Sequence, residues 1–233
     1  MAGHLGGRPS VWQAGPVSDP RDADAHRLAT DAQDDPTGWF ERLYAEAATG
    51  DAIVPWDRDE PNPLMVDWLE RHPHDGGRAI VVGCGLGRDA EYVASLGFRT
   101  TAFDVSPTAV RVARERFPDS AVEHVVADLL DPPAEWTGGF DLVVESITVQ
   151  SMPLSVRATA IRHVAAMVAP GGELLVISGI RGEGEHVDGP PWPLTRTEVE
   201  SFATNGLRAT HIEQATRPDA PTAKRWRAVF QQV

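Results

Sequence analysis

The chain has 233 residues, with 34 acids against 21 Lys and Arg and a formal net charge of −13. That length buries a full core as one domain, and so acidic a body repels phosphate backbones, which argues against nucleic acid as a substrate. No run reaches the ~18 continuous apolar residues of a membrane span, no signal-peptide pattern opens the chain, and the lone Cys84 fits a reducing compartment, so the cytoplasm is the expected location and a membrane is not an expected partner.

Residues 1–36 are rich in Gly, Pro, Asp and Ala and poor in large apolar side chains, a composition that does not fold alone; we expect a tail, or a lid that orders on ligand. The main domain is expected over residues 37–233. Phe40, Leu43, Tyr44 and Ala47 recur at helical spacing before Gly50, and Leu64, Trp68 and Leu69 mark a second helix opened by Pro61 or Pro63. From Arg78 strands and helices alternate, as a doubly wound sheet requires. Strands are expected near 78–82, 99–103, 122–127, 139–145, 173–179, 207–214 and 224–232. Between them, Ala90, Val93 and Ala94 lie on a helix stopping at Gly97, and Ser106-Pro107 caps the next one, which buries Ala109, Val112, Ala113 and Phe117. Leu154, Ala158, Ile161, Ala165 and Val168 form a further stripe ended by Pro170-Gly171-Gly172, and Thr195-x-x-Glu198 is a capping box.

The chemistry concentrates between Ala79 and Asp104. A buried strand breaks into Gly83-Cys84-Gly85-Leu86-Gly87, where missing Cβ atoms let backbone approach a ligand and the following helix points its amides there. Asp104, at the end of the next strand, stands where a carboxylate takes both hydroxyls of a ribose. A dinucleotide fingerprint needs a third glycine where Arg88 stands, which disfavours a nicotinamide oxidoreductase. Cys84 lies inside the turn, where a small side chain packs under a cofactor, and is read as structural rather than nucleophilic. His72-x-His74 lacks a third ligand at matching spacing, so no metal is expected.

Four segments in register, Gly-Cys-Gly-x-Gly, the strand-end Asp104, Ala127-Asp128-Leu129-Leu130 and Phe140-Asp141-Leu142-Val143-Val144-Glu145, followed by Pro170-Gly171-Gly172 entering a strand, resemble the class I S-adenosylmethionine-dependent methyltransferases. The resemblance covers roughly residues 60–180. It implies a Rossmann-like α/β fold, with a seven-stranded, mostly parallel sheet whose last strand is antiparallel, and an N-terminal helical lid. Most members of that class have an acid two residues before the first loop glycine, where this chain has Val81. Thiopurine and thiol or halide methyltransferases often lack it too, and their Pro-Trp-Asp segment and proline-led helix are similar to Pro55-Trp56-Asp57 and Pro61-Asn62-Pro63-Leu64, as is the acid at Asp89.

The resemblance implies S-adenosyl-L-methionine as cofactor and S-adenosyl-L-homocysteine as product. It places Gly83, Cys84 and Gly85 beside the methionine portion, Asp104 on the ribose, Val105 and Ser106 beside the adenine, Asp128 on its exocyclic amine and Leu129 on its apolar side. Asp104 and Asp128 have helix capping as their alternative role, and Trp56 is either a packing anchor or a lid over the cofactor. Glu145, Ser146 and Gln150 follow the fourth strand, where the methyl is presented. Glu145 serves there as a catalytic acceptor of a proton or stabiliser of the sulfonium, or else bonds the cofactor's amine, and Gln150 is a catalytic and substrate-binding candidate. Trp192, in Gly189-Pro190-Pro191-Trp192-Pro193-Leu194, is expected to wall the acceptor pocket, with a surface anchor as the alternative. The expected reaction is methyl transfer to a small-molecule acceptor, a thiol first, since no triad or obvious base is present; an oxygen or nitrogen acceptor is the alternative, and a nicotinamide oxidoreductase or a non-catalytic cofactor-binding protein are remote ones.

Overall fold

The computed structural model describes residues 22–30, 35–217 and 220–233. Three helices lead the chain: α1 (Ala23–Thr30), α2 (Gly38–Thr49) and α3 (Pro63–Arg71). A sheet then alternates with helices: β1 (Gly77–Val82), α4 (Arg88–Ser95), β2 (Phe98–Asp104), α5 (Pro107–Arg116), β3 (Glu123–Val126), β4 (Phe140–Ser146), α6 (Leu154–Ala166), β5 (Val168–Gly179), α7 (Arg196–Glu200), β6 (Leu207–Arg217) and β7 (Ala220–Gln232). The seven strands stand in the order β3-β2-β1-β4-β5-β7-β6. β1 through β5 pair in parallel, and β7 enters between β5 and β6 antiparallel to both. The expected doubly wound sheet with its last strand reversed is the one observed.

The central strands are apolar on both faces, as helix-covered parallel strands must be. Ile80, Val82, Val143, Leu174 and Val176 face a core completed by α6 and α7, whereas Ala79, Val81, Leu142, Val144 and Leu175 face α3 and α4. Strand order reverses at β1, whose neighbours are β2 and β4, and this switch point opens a crevice at the strands' carboxyl ends. Each cap agrees with its sequence signal. Asn62 accepts from the Leu64 amide ahead of Pro63, Ser106 accepts from Ala109 ahead of Pro107, and Thr195 and Glu198 close a reciprocal capping box. Gly50 ends α2 in the left-handed region at φ 85°.

One expectation needs correction. The stripe assigned to one helix from Leu154 to Val168 ends at Ala166; Val168 instead starts β5, pairing with Phe140, and Leu154 is 56% exposed at the first turn of α6. The helical period was read one turn too far because the apolar residues of a strand opening continue it by chance. Within the segment expected as a tail or lid, residues 23–30 form α1, which buries Ala25 and Leu28 against Trp39, Phe40 and Leu43 of α2; residues 1–21 and 31–34 lie outside the described residues.

α2 is fixed over the sheet edge by one acid. Glu41 accepts from the Ser106 hydroxyl (2.5 Å), the Thr108 amide (3.0 Å) and the Thr108 hydroxyl (2.7 Å), all in the first turn of α5. Burial works to raise the Glu41 pKa, but these donors outweigh it and hold the carboxyl below its usual range, and the N-terminal end of α5 favours the negative charge. Glu41→Ala strands three donors, an expected cost of about 1–3 kcal/mol, which lowers the melting temperature by roughly 3–10 °C. A differential scanning calorimetry trace within a degree of the parent would contradict this bracing.

Candidate functional site

The glycine turn after β1 is built by backbone geometry that side chains resist. Gly83 and Gly85 hold φ of 58° and 51°, and a Cβ on Gly83 would lie 2.4 Å from the Thr148 side chain, while one on Gly85 would lie 2.8 Å from the Tyr44 hydroxyl. The turn is tied to the end of β2 by Asp104. One carboxylate oxygen accepts from the Gly85 amide (2.9 Å) and the other from the Ser106 amide (3.0 Å). Burial raises the Asp104 pKa to about 6, only partly offset by these amides, and the nearby Glu41 charge adds to the rise. Cys84 is buried beneath the turn, and burial pushes its thiol well up, so it is neutral and not a nucleophile.

Two adjoining cavities meet at this turn and share Trp56, Gly83, Ser146 and Ile147. The first is largely apolar. Phe40, Phe103, Val105, Leu129 and Met152 line it, with the carboxylates of Asp104 and Asp128 at its polar edge. Asp128 already accepts from the Leu130 amide (2.8 Å). The second is polar, bounded by Cys84, Gly85, Asn62, Asp89 and Arg88. Asp89 accepts from the Asn62 amide (2.8 Å), which in turn donates from its side chain to Ser146 (3.0 Å). Burial raises the Asp89 pKa against those hydrogen bonds. Arg88 reaches back to the Arg58 carbonyl (3.3 Å) and lies over the Phe117 ring.

Trp56 stands where the cavities join. Its indole N–H donates to the Tyr44 hydroxyl (2.7 Å), and its ring meets Trp39, Phe40 and Tyr44 edge-on at 6.1–6.2 Å. Trp56 is thus anchored by its packing and its hydrogen bond while lining both cavities. Of this aromatic group, the sequence singles out Trp56 but not Phe40 or Tyr44 as part of the site. Phe40 and Tyr44 recur at helical spacing, which signals a core stripe equally well, and only the docking of α2 turns that stripe toward the turn.

Gly83, Gly85, Cys84, Trp56, Asp104, Val105, Asp128, Leu129 and Ser146 all line one cavity or the other. Ser106 does not. It is fully buried, spending its hydroxyl on Glu41 and the Ala109 amide. Glu145, expected at the methyl, also lies outside both cavities. β4 runs on to Ser146, so alternation turns Glu145 to the same face as Val143, beneath the turn at residues 149–151. There one oxygen accepts from the Val149 amide (2.9 Å) and the other has no partner. Gln150 is buried and accepts from the Gly179 amide. Trp192 donates its amide to the Gln150 carbonyl (2.7 Å), its own carbonyl accepts from Arg157 (2.7 Å), and its neighbour Pro191 lines a cavity together with Gln150.

Similarity to known proteins follows this geometry. A family described as a methyltransferase domain matches residues 79–172, the span that holds the turn, Asp104, Asp128 and β4. A thiocyanate methyltransferase of Arabidopsis thaliana is 26% identical over 200 residues, 82% of this chain and 85% of the relative. A ubiquinone biosynthesis O-methyltransferase of Xanthomonas oryzae pv. oryzae is 35% identical over 131 residues, 52% of this chain and 54% of the relative. The N-methyltransferase NodS of Bradyrhizobium japonicum, solved with S-adenosyl-L-homocysteine, superposes with a TM-score of 0.64 at 22% identity, covering 83% of this chain and 97% of that one.

Burial pushes the Glu145 carboxyl up to about 7, against hydrogen bonds from Val149 and Thr148 that favour its ionised form. A carboxyl whose folded pKa is raised stabilises the fold while protonated and loses that contribution as pH climbs from its unfolded value near 4.5 through 7. Glu145→Gln keeps the Val149 bond without the charge. Relative to the parent it is expected to gain up to about 3 kcal/mol between pH 4.5 and pH 8 in urea denaturation. The same difference at both pH values would contradict the buried, neutral acid.

Proposed function

Because the chain is a class I S-adenosylmethionine-dependent methyltransferase that resembles thiol methyltransferases, we propose that it methylates a small molecule on sulfur. The observation that carries the reading is chemical poverty around the reacting position. Among the described residues, no histidine or lysine lines the two cavities, Glu145 is turned away, Asp89, Asp104 and Asp128 each accept a backbone amide, Asp57 pairs with Arg116, and Glu60 is the remaining carboxylate, on the polar cavity's wall. An alcohol or ammonium acceptor needs a placed base, whereas a thiol with a pKa near 8.5 supplies its own anion in useful amount near neutral pH.

The residues present fit the cofactor. Asp104, held rigid by two amides, would take the ribose hydroxyls; Val105, Leu129, Phe103 and Met152 would enclose the adenine, with Asp128 at its amine; and the glycine turn with Asn62, Asp89 and Ser146 would hold the amino-acid end. When bound, S-adenosylmethionine would supply an electrophilic methyl on a sulfonium; an acceptor already ionised to its thiolate would take that methyl, leaving a thioether and S-adenosylhomocysteine, with the proton lost to solvent beforehand. The chain's part is alignment and exclusion of water. Trp56, locked by Tyr44, roofs the junction of the cavities, and Ile147 and Ser146 floor it, so an acceptor is held near contact distance in a site too dry to favour separated charges.

Asp104→Ala removes the ribose acceptor, and the expected loss of S-adenosylmethionine affinity is about ten- to a hundredfold by calorimetry. Unchanged affinity in a folded variant would remove the assignment. With labelled cofactor, a series of thiols of different acidity is expected to show rate profiles whose pH midpoint follows each thiol. A midpoint fixed by the enzyme, or transfer only to phenols and amines, would overturn the sulfur reading.

A further inference from the structure

A third cavity adjoins the other two, sharing Trp56 and Ile147 with both and Ser151 with the apolar one. Gln150, Ile177 and Pro191 line it beyond that junction. The charged side chains on its wall, Asp22, Arg58, Arg217 and Arg225, are already engaged within the chain. Recognition there falls to a neutral group, the side-chain amide of Gln150.

Gln150 is braced at both ends. Its backbone carbonyl accepts from the Trp192 amide (2.7 Å), and the Trp192 carbonyl accepts in turn from the buried Arg157 (2.7 Å), which is paired with Glu198 (2.7 Å). Its side-chain oxygen accepts from the amide of Gly179, the last residue of β5. That approach requires a glycine, because a Cβ there would lie 3.1 Å from Gln150 Oε1 and 2.9 Å from the Pro193 side chain. Only the oxygen of a carboxamide can accept the Gly179 N–H, so this bond fixes which branch is oxygen and leaves the NH2 on the other. Among the described residues that NH2 donates to nothing. Unlike Glu145 Oε2 and Arg157 Nε, which are unpartnered and sealed in protein, Gln150 Nε2 is not sealed, and it opens on the cavity that the residue lines.

We propose that Gln150 is a substrate-binding residue whose NH2 donates to a carbonyl oxygen on the body of the methyl acceptor, seated in this third cavity. The inference rests on methyl transfer to a small molecule but not on sulfur as the nucleophile. The shared wall of Trp56 and Ile147 sets the reacting atom at the junction of the cavities, whereas Gln150 lines the third cavity alone, so the oxygen it meets lies apart from the nucleophile. Ile147, Ile177, Pro191 and Trp56 have no side-chain acceptor, and the Ser151 hydroxyl already donates to the Ile147 carbonyl (2.9 Å). An oxygen that carries no proton of its own therefore suits the place better than a hydroxyl, which would need an acceptor in return. A molecule of the same shape without that oxygen leaves the NH2 unpaired against apolar surface, and such a mismatch is what a hydrogen-bonding site discriminates by.

The test uses the full chain, labelled S-adenosylmethionine and pairs of equal shape that differ in the oxygen: acetyl- against isopropyl-substituted thiophenols, and acetyl- against isopropyl-substituted phenols, each as its ring isomers. In whichever nucleophile class is methylated, at least one acetyl isomer is expected to exceed its isopropyl counterpart in kcat/KM by about ten- to a hundredfold, mainly through KM. Gln150→Glu keeps an oxygen for the Gly179 amide and puts a second oxygen where the NH2 stands, so it is expected to cut that ratio about tenfold. Measuring each pair in both proteins cancels the acidity that the acetyl group lends the nucleophile. Preference for the acetyl compound among phenols alone would end the sulfur reading and leave this one standing. A ratio that is the same in parent and Gln150→Glu would overturn the proposal and leave Gln150 a brace between its turn and β5. Calorimetric titration of the acetyl compounds in the presence of S-adenosylhomocysteine gives the readout independent of turnover: saturable binding weakened about tenfold by Gln150→Glu supports the proposal, and no saturable binding of any of them overturns it. Should Gln150→Glu not fold, Gln150→Met, which keeps length and loses the donor, takes its place.

Discussion

The carboxylate of Asp104 is the junction on which the site depends. Its oxygens receive the amides of Gly85 and Ser106, so the glycine turn after β1 and the first turn of α5 are held by one buried group. The chain of contacts continues outward. Ser106 donates to Glu41, Glu41 accepts twice from Thr108, and α2 is thereby placed with Phe40 and Tyr44 over the turn. An acid with a pKa lifted to about 6 is costly to keep ionised in that position, which is how a protein stores a preference for a ligand that donates to it.

The aromatic roof and the poor acid–base equipment belong together. Trp39 and Phe40 stack, Trp56 meets Trp39, Phe40 and Tyr44 edge to face, and the Tyr44–Trp56 hydrogen bond satisfies the indole donor. Such a wall aligns and desolvates, and moves no protons. Burial also raises the Tyr44 pKa well above its usual value, which keeps the hydroxyl neutral.

What could be read from the sequence was what backbone geometry demands locally. Gly83 and Gly85 need positive φ, Asp104 follows a strand into the switch point, and Ser106-Pro107 and Thr195-x-x-Glu198 are caps whose hydrogen bonds span three residues. The cofactor side is built almost wholly from such signals. Glu145 stands on the core side of the strand end because the two-residue period puts it with Val143. The proline-rich segment around Trp192 carries no period, and its backbone serves Gln150 and Arg157.

The central claim is that Asp104 both organises the turn and receives the ribose, and its own titration reports both. In protein carrying 13C-labelled aspartate, assigned with Asp104→Asn, the Asp104 carboxyl is expected to titrate near pH 6 in the free enzyme and well below that with S-adenosylhomocysteine bound, because hydroxyl donors favour the ionised form. A carboxyl that titrates in the ordinary aspartate range in both states, or whose midpoint near 6 does not move when the cofactor product binds, would contradict the account.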